Sequence, residues 1–66
     1  MVNIKMKIAR VENGLSQAEL AKAVKATRQT ISLIESGQYN PSLRLCVAIC
    51  KAMNRTLNDL FWEEQT

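Results

Sequence analysis

Apolar residues recur along the chain mostly at three- and four-residue intervals, the spacing that places side chains on one face of an α-helix. The two-residue alternation of a half-buried strand is nearly absent. Short polar segments, which contain both glycines and the single proline, separate five stretches with helical spacing. The pattern therefore predicts an all-α fold class, a compact arrangement of five short helices with tight loops. The chain ends, 1–3 and 61–64, offer one further element, a short two-stranded β-ribbon.

The first two predicted helices have recognisable start and stop residues. Helix 1 runs from about Ile4 to Asn13, with Asn3 as its N-cap and Gly14 in the left-handed conformation after it. Helix 2 begins after Ser16, which forms a capping box with Glu19. The apolar positions are Ile4, Ile8 and Val11 on one face of helix 1, and Leu20, Ala21 and Val24 on the inward face of helix 2.

Three further helices follow the same logic. Helix 3 is capped by Thr27 and closed by Gly37, and helix 4 is capped by Ser42. Asn54 is a candidate left-handed residue after helix 4, and Thr56 starts the short helix 5. The apolar positions are Ile31 and Ile34 in helix 3, Leu43, Cys46, Ile49, Cys50 and Met53 in helix 4, and Leu57, Leu60 and Phe61 in helix 5.

The segment from Gln17 to Ser36 has the pattern of a helix-turn-helix unit. Only a small side chain fits where its two helices cross, and Ala21 occupies that position. The apolar residues that hold the crossing are Leu20, Val24, Ala26, Ile31 and Ile34. The outward face of helix 3 then carries Arg28, Gln29, Ser32 and Leu33.

This outward face has the side chains that distinguish bases, and such a helix fits the B-DNA major groove, which is about 12 Å wide. Arg28 can bind a guanine edge and Gln29 an adenine edge, each through two hydrogen bonds. Ser32 can donate or accept, and Leu33 can contact a thymine methyl group. The alternative for Arg28 and Gln29 is an ordinary solvated helix start, but the surrounding twenty-residue pattern favours DNA contact.

The charge distribution agrees with a polyanionic partner. The net charge is +3, with nine Lys and Arg against six Asp and Glu. Three of the acidic residues, Asp59, Glu63 and Glu64, lie in the last eight positions, which leaves residues 1–58 at +6. An ordinary solvated surface would show the same balance, so charge alone does not decide between the two.

Four stretches together resemble the lambda-repressor-like helix-turn-helix family, also called the Cro/CI or xenobiotic-response-element type. They are GLSQAELA from Gly14, TRQTISLIESG from Thr27, YNPSLRL from Tyr39 and LNDLF from Leu57. With Arg10 they cover nearly the whole chain, which is most similar to the short stand-alone members. The resemblance implies one DNA-binding domain over 1–66 with its helix-turn-helix unit at 17–36, and it implies homodimerisation.

The resemblance also implies individual roles. Gln17, at the start of helix 2, would bind a phosphate with help from the positive helix N-terminus. With Ser16, Lys22 and Lys25, which the resemblance does not itself assign, the full set of candidate phosphate-binding residues is Gln17, Ser16, Lys22, Lys25, Ser36, Tyr39, Asn40 and Arg44. The base-contacting set would be Arg28, Gln29, Ser32, Leu33 and Thr27.

Two positions bear on how the unit is held together. Arg10 and Glu35 match a family ion pair that joins helix 1 to helix 3, although they could also be two unrelated surface charges. Lys25 stands in the turn where the family commonly has Gly. If this residue has a positive φ, Lys strains the turn slightly and gains a position for a phosphate contact.

The two cysteines, Cys46 and Cys50, lie one turn apart on helix 4. Two thiols with this spacing and no histidine make a poor metal site, so we interpret both as small buried apolar residues and expect no metal or cofactor. A redox switch is the alternative. The chain has no nucleophile elbow, phosphate loop or paired-carboxylate site, so we do not expect an enzyme.

A cluster near the C-terminus is larger than so short a chain is expected to bury. It consists of Met53, Leu57, Leu60, Phe61 and Trp62. An exposed aromatic patch suggests a partner surface, and we interpret the cluster as a homodimer interface. Leu45 and Val47 could contribute to it, and the alternative is that Trp62 folds back over helix 1.

The expected function is sequence-specific DNA-binding transcription regulation, with repression from a palindromic operator bound by a homodimer. One alternative is an antitoxin-like protein-interaction module that also binds DNA, and another is DNA binding with little sequence preference. The start of the chain alternates charged and apolar residues, unlike a signal peptide, and no apolar run is long enough for a membrane span. We therefore expect a cytoplasmic, nucleoid-associated protein with double-stranded DNA as partner and no evident small-molecule ligand.

Overall fold

The computed structural model describes residues 3–61 and contains five helices in this range. They are α1 (Ile4–Glu12), α2 (Gln17–Ala23), α3 (Arg28–Glu35), α4 (Leu43–Ala52) and α5 (Leu57–Leu60). The predicted all-α, five-helix fold is confirmed, with helix bounds within one or two residues of those expected. Residues 3–61 contain no strand. The β-ribbon was predicted for 1–3 and 61–64. Its two described residues are not strand, since Asn3 caps α1 and Phe61 ends α5, and residues 1, 2 and 62–64 lie outside the described residues.

Each helix begins where the sequence offers an N-cap. The side chains of Asn3, Ser16, Thr27, Ser42 and Thr56 each accept a hydrogen bond from the backbone amide three residues further on. The predicted Ser16–Glu19 capping box is present, and Thr56 and Asp59 form a second one. Hydrogen bonds from the capping residues, the backbone one foremost, lower the pKa of both box carboxylates, Glu19 and Asp59.

Four tight turns follow helices at residues in the left-handed conformation. Gly14 and Gly37 have φ values of 69° and 79°, and glycine adopts this conformation without strain. Asn54 has a φ of 54°, which confirms the left-handed conformation predicted for it after helix 4. Lys25, at φ 59°, shows that the α2–α3 turn keeps the family's left-handed geometry although a lysine replaces the usual glycine.

All five helices contribute to one apolar core. Its buried members are Met6, Ala9, Leu20, Ala21, Ile31, Ile34, Ile49, Cys50, Met53 and Leu60. Leu15, Val24, Leu45 and Phe61 pack against them and are partly buried. The predicted inward faces of α2 and α3 are therefore confirmed.

Helix α1 does not pack through its most apolar face. Ile4, Ile8 and Val11 are 58%, 52% and 60% exposed, whereas Met6 and Ala9 are buried. The isoleucine and valine stripe, predicted as the apolar face of helix 1, is therefore not its packing face. Two stripes with helical spacing run along this helix. The neighbouring helices cover the stripe that contains Met6 and Ala9, which also carries Arg10.

Leu43 is a second apolar residue that does not reach the core. It is 70% exposed, although its spacing placed it with the inward residues of helix 4. The buried residues of α4, Cys46, Ile49 and Cys50, all lie beyond its first turn. The start of the helix therefore extends past the core, and Leu43 extends with it.

The two thiols behave as core residues. Cys46 and Cys50 are both free and buried, and burial raises the pKa of each thiol. The Sγ atom of Cys46 also donates to the carbonyl oxygen of Pro41 at 3.9 Å. Within residues 3–61 no group of three potential metal ligands comes together, and no helix there is long and apolar enough to cross a membrane.

Candidate nucleic-acid interface

Helices α2 and α3 cross closely, as the helix-turn-helix pattern predicted. Ala21, 3% exposed, lies in the core with Leu20 from α2 and with Ile31 and Ile34 from α3. The turn between them is tied down because the amide of Ala26 donates to the carbonyl of Ala21 at 2.8 Å. A small residue at position 21 lets the two helices pack closely, and this packing sets the direction in which α3 faces outward.

The outward face of α3 is free to meet a ligand. Arg28 and Gln29, in its first turn, are exposed, and neither side chain has a hydrogen-bond or ion-pair partner among residues 3–61. Ser32 and Leu33 lie one turn further on and are partly buried. Thr27, just before the helix, uses its hydroxyl to cap α3 and to bond the hydroxyl of Thr30 at 2.9 Å. The proposed base-contacting residues therefore lie just before α3 and along its outward face.

The inner face of α3 ends in a buried ion pair. Arg10 Nε donates to Glu35 Oε2 at 2.7 Å, and a second Arg10 nitrogen lies 3.3 Å from Glu35 Oε1. Arg10 also donates to the carbonyl of Leu15 at 2.8 Å. The two residues are only 9% and 5% exposed, so the pair joins α1 to α3 inside the fold.

Gln17 takes part in the same network. Its Nε2 donates to Glu35 Oε1 at 3.1 Å, which links the start of α2 to the end of α3. The sequence placed Gln17 on a phosphate and missed this contact, because its partner lies 18 residues away and no local pattern indicates it. A carboxamide nitrogen has two protons, so one N–H is still available for another acceptor.

The other candidate phosphate-binding residues lie at helix ends and in the connecting loops. Seven side chains are exposed there: Ser16, Lys22, Lys25, Ser36, Tyr39, Asn40 and Arg44. Two of the hydroxyls already serve the fold, since Ser16 caps α2 and the Ser36 hydroxyl donates to the carbonyl of Leu33 at 3.0 Å. The three basic side chains, at positions 22, 25 and 44, are therefore the ones best suited to binding phosphate.

The expected dimer interface includes two residues that are not on the surface. Met53 and Leu60 are 0% and 3% exposed because both fill the core of their own chain, so assigning them to an interface was wrong. Leu57 is 38% exposed and Phe61 is partly buried. Trp62 lies outside the described residues.

Two polar contacts that the sequence did not indicate hold α1 against the C-terminal half. Asn13 Nδ2 donates to the carbonyl of Met53 at 3.3 Å, and Arg55 pairs with Glu12 at 3.1 Å. Both join residues 40 or more positions apart. No spacing rule could have found them, although Asn13 does continue the buried stripe of α1.

Comparisons with known proteins agree with this geometry. A helix-turn-helix family model matches residues 6–60. The uncharacterized HTH-type transcriptional regulator YgzD of Bacillus subtilis is 46% identical over 61 residues, 92% of each chain. An uncharacterized HTH-type transcriptional regulator of Methanothermobacter thermautotrophicus is 49% identical over 53 residues, 79% of this chain and 77% of its own.

Solved structures show the same architecture. The restriction-modification controller protein C.AhdI of Aeromonas hydrophila is 30% identical, with a TM-score of 0.81 and 86% of each chain covered. The clp gene regulator ClgR of Corynebacterium glutamicum is 25% identical with a TM-score of 0.79, over 83% of this chain and 58% of that one. The chain therefore belongs to the lambda-repressor-like, Cro/CI-type helix-turn-helix family of DNA-binding transcription regulators.

Proposed function

We propose that the protein is a sequence-specific repressor that binds a palindromic operator as a homodimer, with α3 in the major groove. The observation that carries this proposal is the outward face of α3, where Arg28 and Gln29 are exposed and uncommitted among residues 3–61. The opposite side of the helix is fixed by the core and by Glu35. A rigidly held helix with free base-binding side chains suits direct recognition of a base sequence.

Base contacts in this proposal come from the outward face of α3 and from Thr27 just before it. Arg28 and Gln29 bind guanine and adenine edges, and Ser32, Leu33 and Thr27 make the lesser contacts. The phosphate contacts come from Gln17, through its second N–H, and from Ser16, Lys22, Lys25, Ser36, Tyr39, Asn40 and Arg44. Phosphate contacts position the protein and base contacts determine the sequence, so the two sets have separable effects.

Dimerisation in this proposal involves the exposed part of the C-terminal cluster. Leu57, Phe61 and Trp62 remain after Met53 and Leu60 are removed, of which Trp62 lies outside the described residues. Leu45 and Val47, both partly buried, can extend the surface. Two-fold symmetry would place two α3 helices about 34 Å apart, in successive major grooves. In the same proposal the 66 residues act as one domain, in the cytoplasm on the nucleoid, and binding over a promoter blocks transcription.

The direct test is selection of bound sequences from random DNA, followed by footprinting. We expect one palindrome whose half-sites are about ten base pairs apart. Repeating the selection with Gln29→Ala should remove the preference at one position in each half-site, whereas Lys51→Ala, an exposed residue outside the proposed interface, should leave the palindrome unchanged. Enrichment of no sequence, or of a sequence without two-fold symmetry, would contradict the proposal.

Homodimerisation has its own test. Sedimentation of the purified chain should show a dimer, and Leu57→Glu should shift it to monomer because it places a charge at the proposed interface. Lys51→Glu is a matched control on exposed surface. A monomer at every concentration would instead favour a function that needs a second protein, as in the antitoxin-like alternative.

A further inference from the structure

The outward face of α1 is an apolar stripe, formed by Ile4, Ile8 and Val11, that residues 3–61 leave uncovered. All three side chains are more than half exposed. The other large apolar side chains exposed in this part of the chain, Tyr39, Leu43 and Leu57, lie on separate elements. Single exposed apolar residues are ordinary, but three on one helix face form a contiguous patch that indicates a contact.

The stripe borders a cleft between α1 and α5. The cleft has a volume of about 320 Å³, and its apolar walls are Ile8, Ala9 and Leu60. The Arg55–Glu12 ion pair also lines it. Ile8 belongs both to the cleft and to the stripe, so the two form one continuous surface from α5 to the outer side of α1.

The chain leaves α5 beside this surface. Leu60 lines the cleft and Phe61 ends the helix, where the described residues stop. The following residues are Trp62, Glu63, Glu64, Gln65 and Thr66. Five extended residues reach up to about 17 Å, whereas the stripe, about two helical turns long, spans roughly 10 Å. The segment is therefore long enough to follow the entire stripe.

We propose that the cleft and the stripe are the docking site of segment 62–66 of the same chain, with the indole of Trp62 against Ile8 and Leu60. The indole is large and apolar and has one polar N–H, which suits a cleft with apolar walls and an ion pair beside them. Glu63 and Glu64 then lie along α1, whose exposed basic residues are Lys5 and Lys7.

The same chain is favoured over a second copy as the occupant because the segment is tethered next to the site. A short tether gives an effective concentration in the millimolar range whatever the protein concentration, so the segment of the same chain outcompetes that of a second copy in ordinary, more dilute solutions. The assignment removes Trp62 from the proposed dimer interface and leaves that surface to Leu57 and Phe61. It does not depend on the proposed repressor function.

The chain has a single tryptophan, which makes the proposal testable by fluorescence. We expect Trp62 to emit at shorter wavelength than N-acetyltryptophanamide and to be quenched less by acrylamide, equally at all protein concentrations. Ile8→Glu should move the emission to the wavelength of the free compound and restore full quenching. Leu43→Glu, at an apolar site that is also more than half exposed but lies outside the cleft, should change neither, and circular dichroism checks that both variants are folded.

Three outcomes would overturn the proposal. One is emission from the wild-type protein that already equals that of the free compound. Another is emission at short wavelength that Ile8→Glu leaves unchanged. The third is emission that moves to longer wavelength on dilution, together with dissociation in sedimentation, which would make a second copy the occupant.

Discussion

The two sides of α3 are built in opposite ways. On the inner side, Glu35 is almost fully buried and is held by Arg10 from α1 and by Gln17 from α2. On the outer side, Arg28 and Gln29 are exposed and have no polar partner among residues 3–61. The inner side sets the direction of the helix and the outer side meets the ligand. Substitutions on the two sides should therefore separate stability from sequence preference.

The largest effect is expected at the buried carboxylate. Glu35→Ala leaves the Arg10 guanidinium buried without its partner, which costs about 3–5 kcal/mol of the free energy of unfolding. The free energy of unfolding of a small protein is only about 5–15 kcal/mol in total. The variant should therefore be largely unfolded or should melt at a much lower temperature than the wild-type protein. Urea and thermal denaturation followed by circular dichroism measure this.

Glu12→Ala is the matched control for that loss. Glu12 also pairs with an arginine, Arg55, but the two side chains are 60% and 33% exposed. An exposed pair of this kind contributes about 0–1 kcal/mol. Equal losses for Glu35→Ala and Glu12→Ala would contradict the view that burial makes the inner side of α3 the structural one.

A smaller effect, on both stability and DNA affinity, is expected at Gln17, which lies between the two sides of α3. Gln17→Met removes a hydrogen bond to a carboxylate, worth about 1.5 kcal/mol for a partly buried donor, and should lower the affinity for all DNA sequences evenly. Denaturation and mobility-shift titrations measure the two losses, with exposed Gln38→Met as control. A loss of affinity with unchanged stability would mean that the Glu35 contact contributes nothing and that Gln17 binds only phosphate.

The phosphate-binding residues should change salt dependence more than stability. Lys22→Ala and Arg44→Ala each remove an exposed cation, so the slope of log affinity against log salt should fall by about 0.9 for each phosphate that the variant no longer neutralises. The preferred DNA sequence should stay the same. Lys51→Ala should leave the slope unchanged, and an equal change in that control would place the effect in overall charge and not in direct phosphate binding.

The smallest effect concerns acid stability at the capping boxes. Both Glu19 and Asp59 have a pKa below the ordinary value of a free carboxyl group. Each ionised carboxylate therefore stabilises the fold at pH values above that ordinary pKa, and this stabilisation is lost as the pH falls through the lowered pKa. The thermal midpoint should therefore decline below about pH 4, the usual carboxyl range. The double variant Glu19→Gln, Asp59→Asn should decline less steeply, and an identical decline would place the acid sensitivity elsewhere.

Local features of the fold were predictable from the sequence and long-range ones were not. The caps at Ser16 and Thr27 depend on neighbouring residues only, and both are present. The left-handed conformation of Lys25 is different, because only the family's usual glycine at this position suggested it and a lysine does not favour it. The packing face of α1 depends on which side the other helices cover. Hydrophobicity alone favours the side with Ile4 and Ile8, whereas the buried side contains Met6 and Ala9.

The same distinction holds for the candidate site. The exposed positions of Arg28 and Gln29 followed from the helical spacing of the inward residues Ile31 and Ile34 in the same helix, a local property. The hydrogen bond from Gln17 to Glu35 joins two helices, so neither residue's neighbours indicate it. For the same reason Met53 was assigned to an interface, since only the assembled core shows that it is fully buried.

The central claim, that the outer side of α3 determines sequence preference and the inner side determines stability, is tested most directly with Arg28→Ala. Its affinity should be measured against operators that differ from the selected palindrome at one base pair each, together with its free energy of unfolding. The account predicts that about 1–3 kcal/mol of discrimination disappears at one position in each half-site, with stability unchanged within about 0.5 kcal/mol. An even loss at every position, or no loss of discrimination, would contradict it.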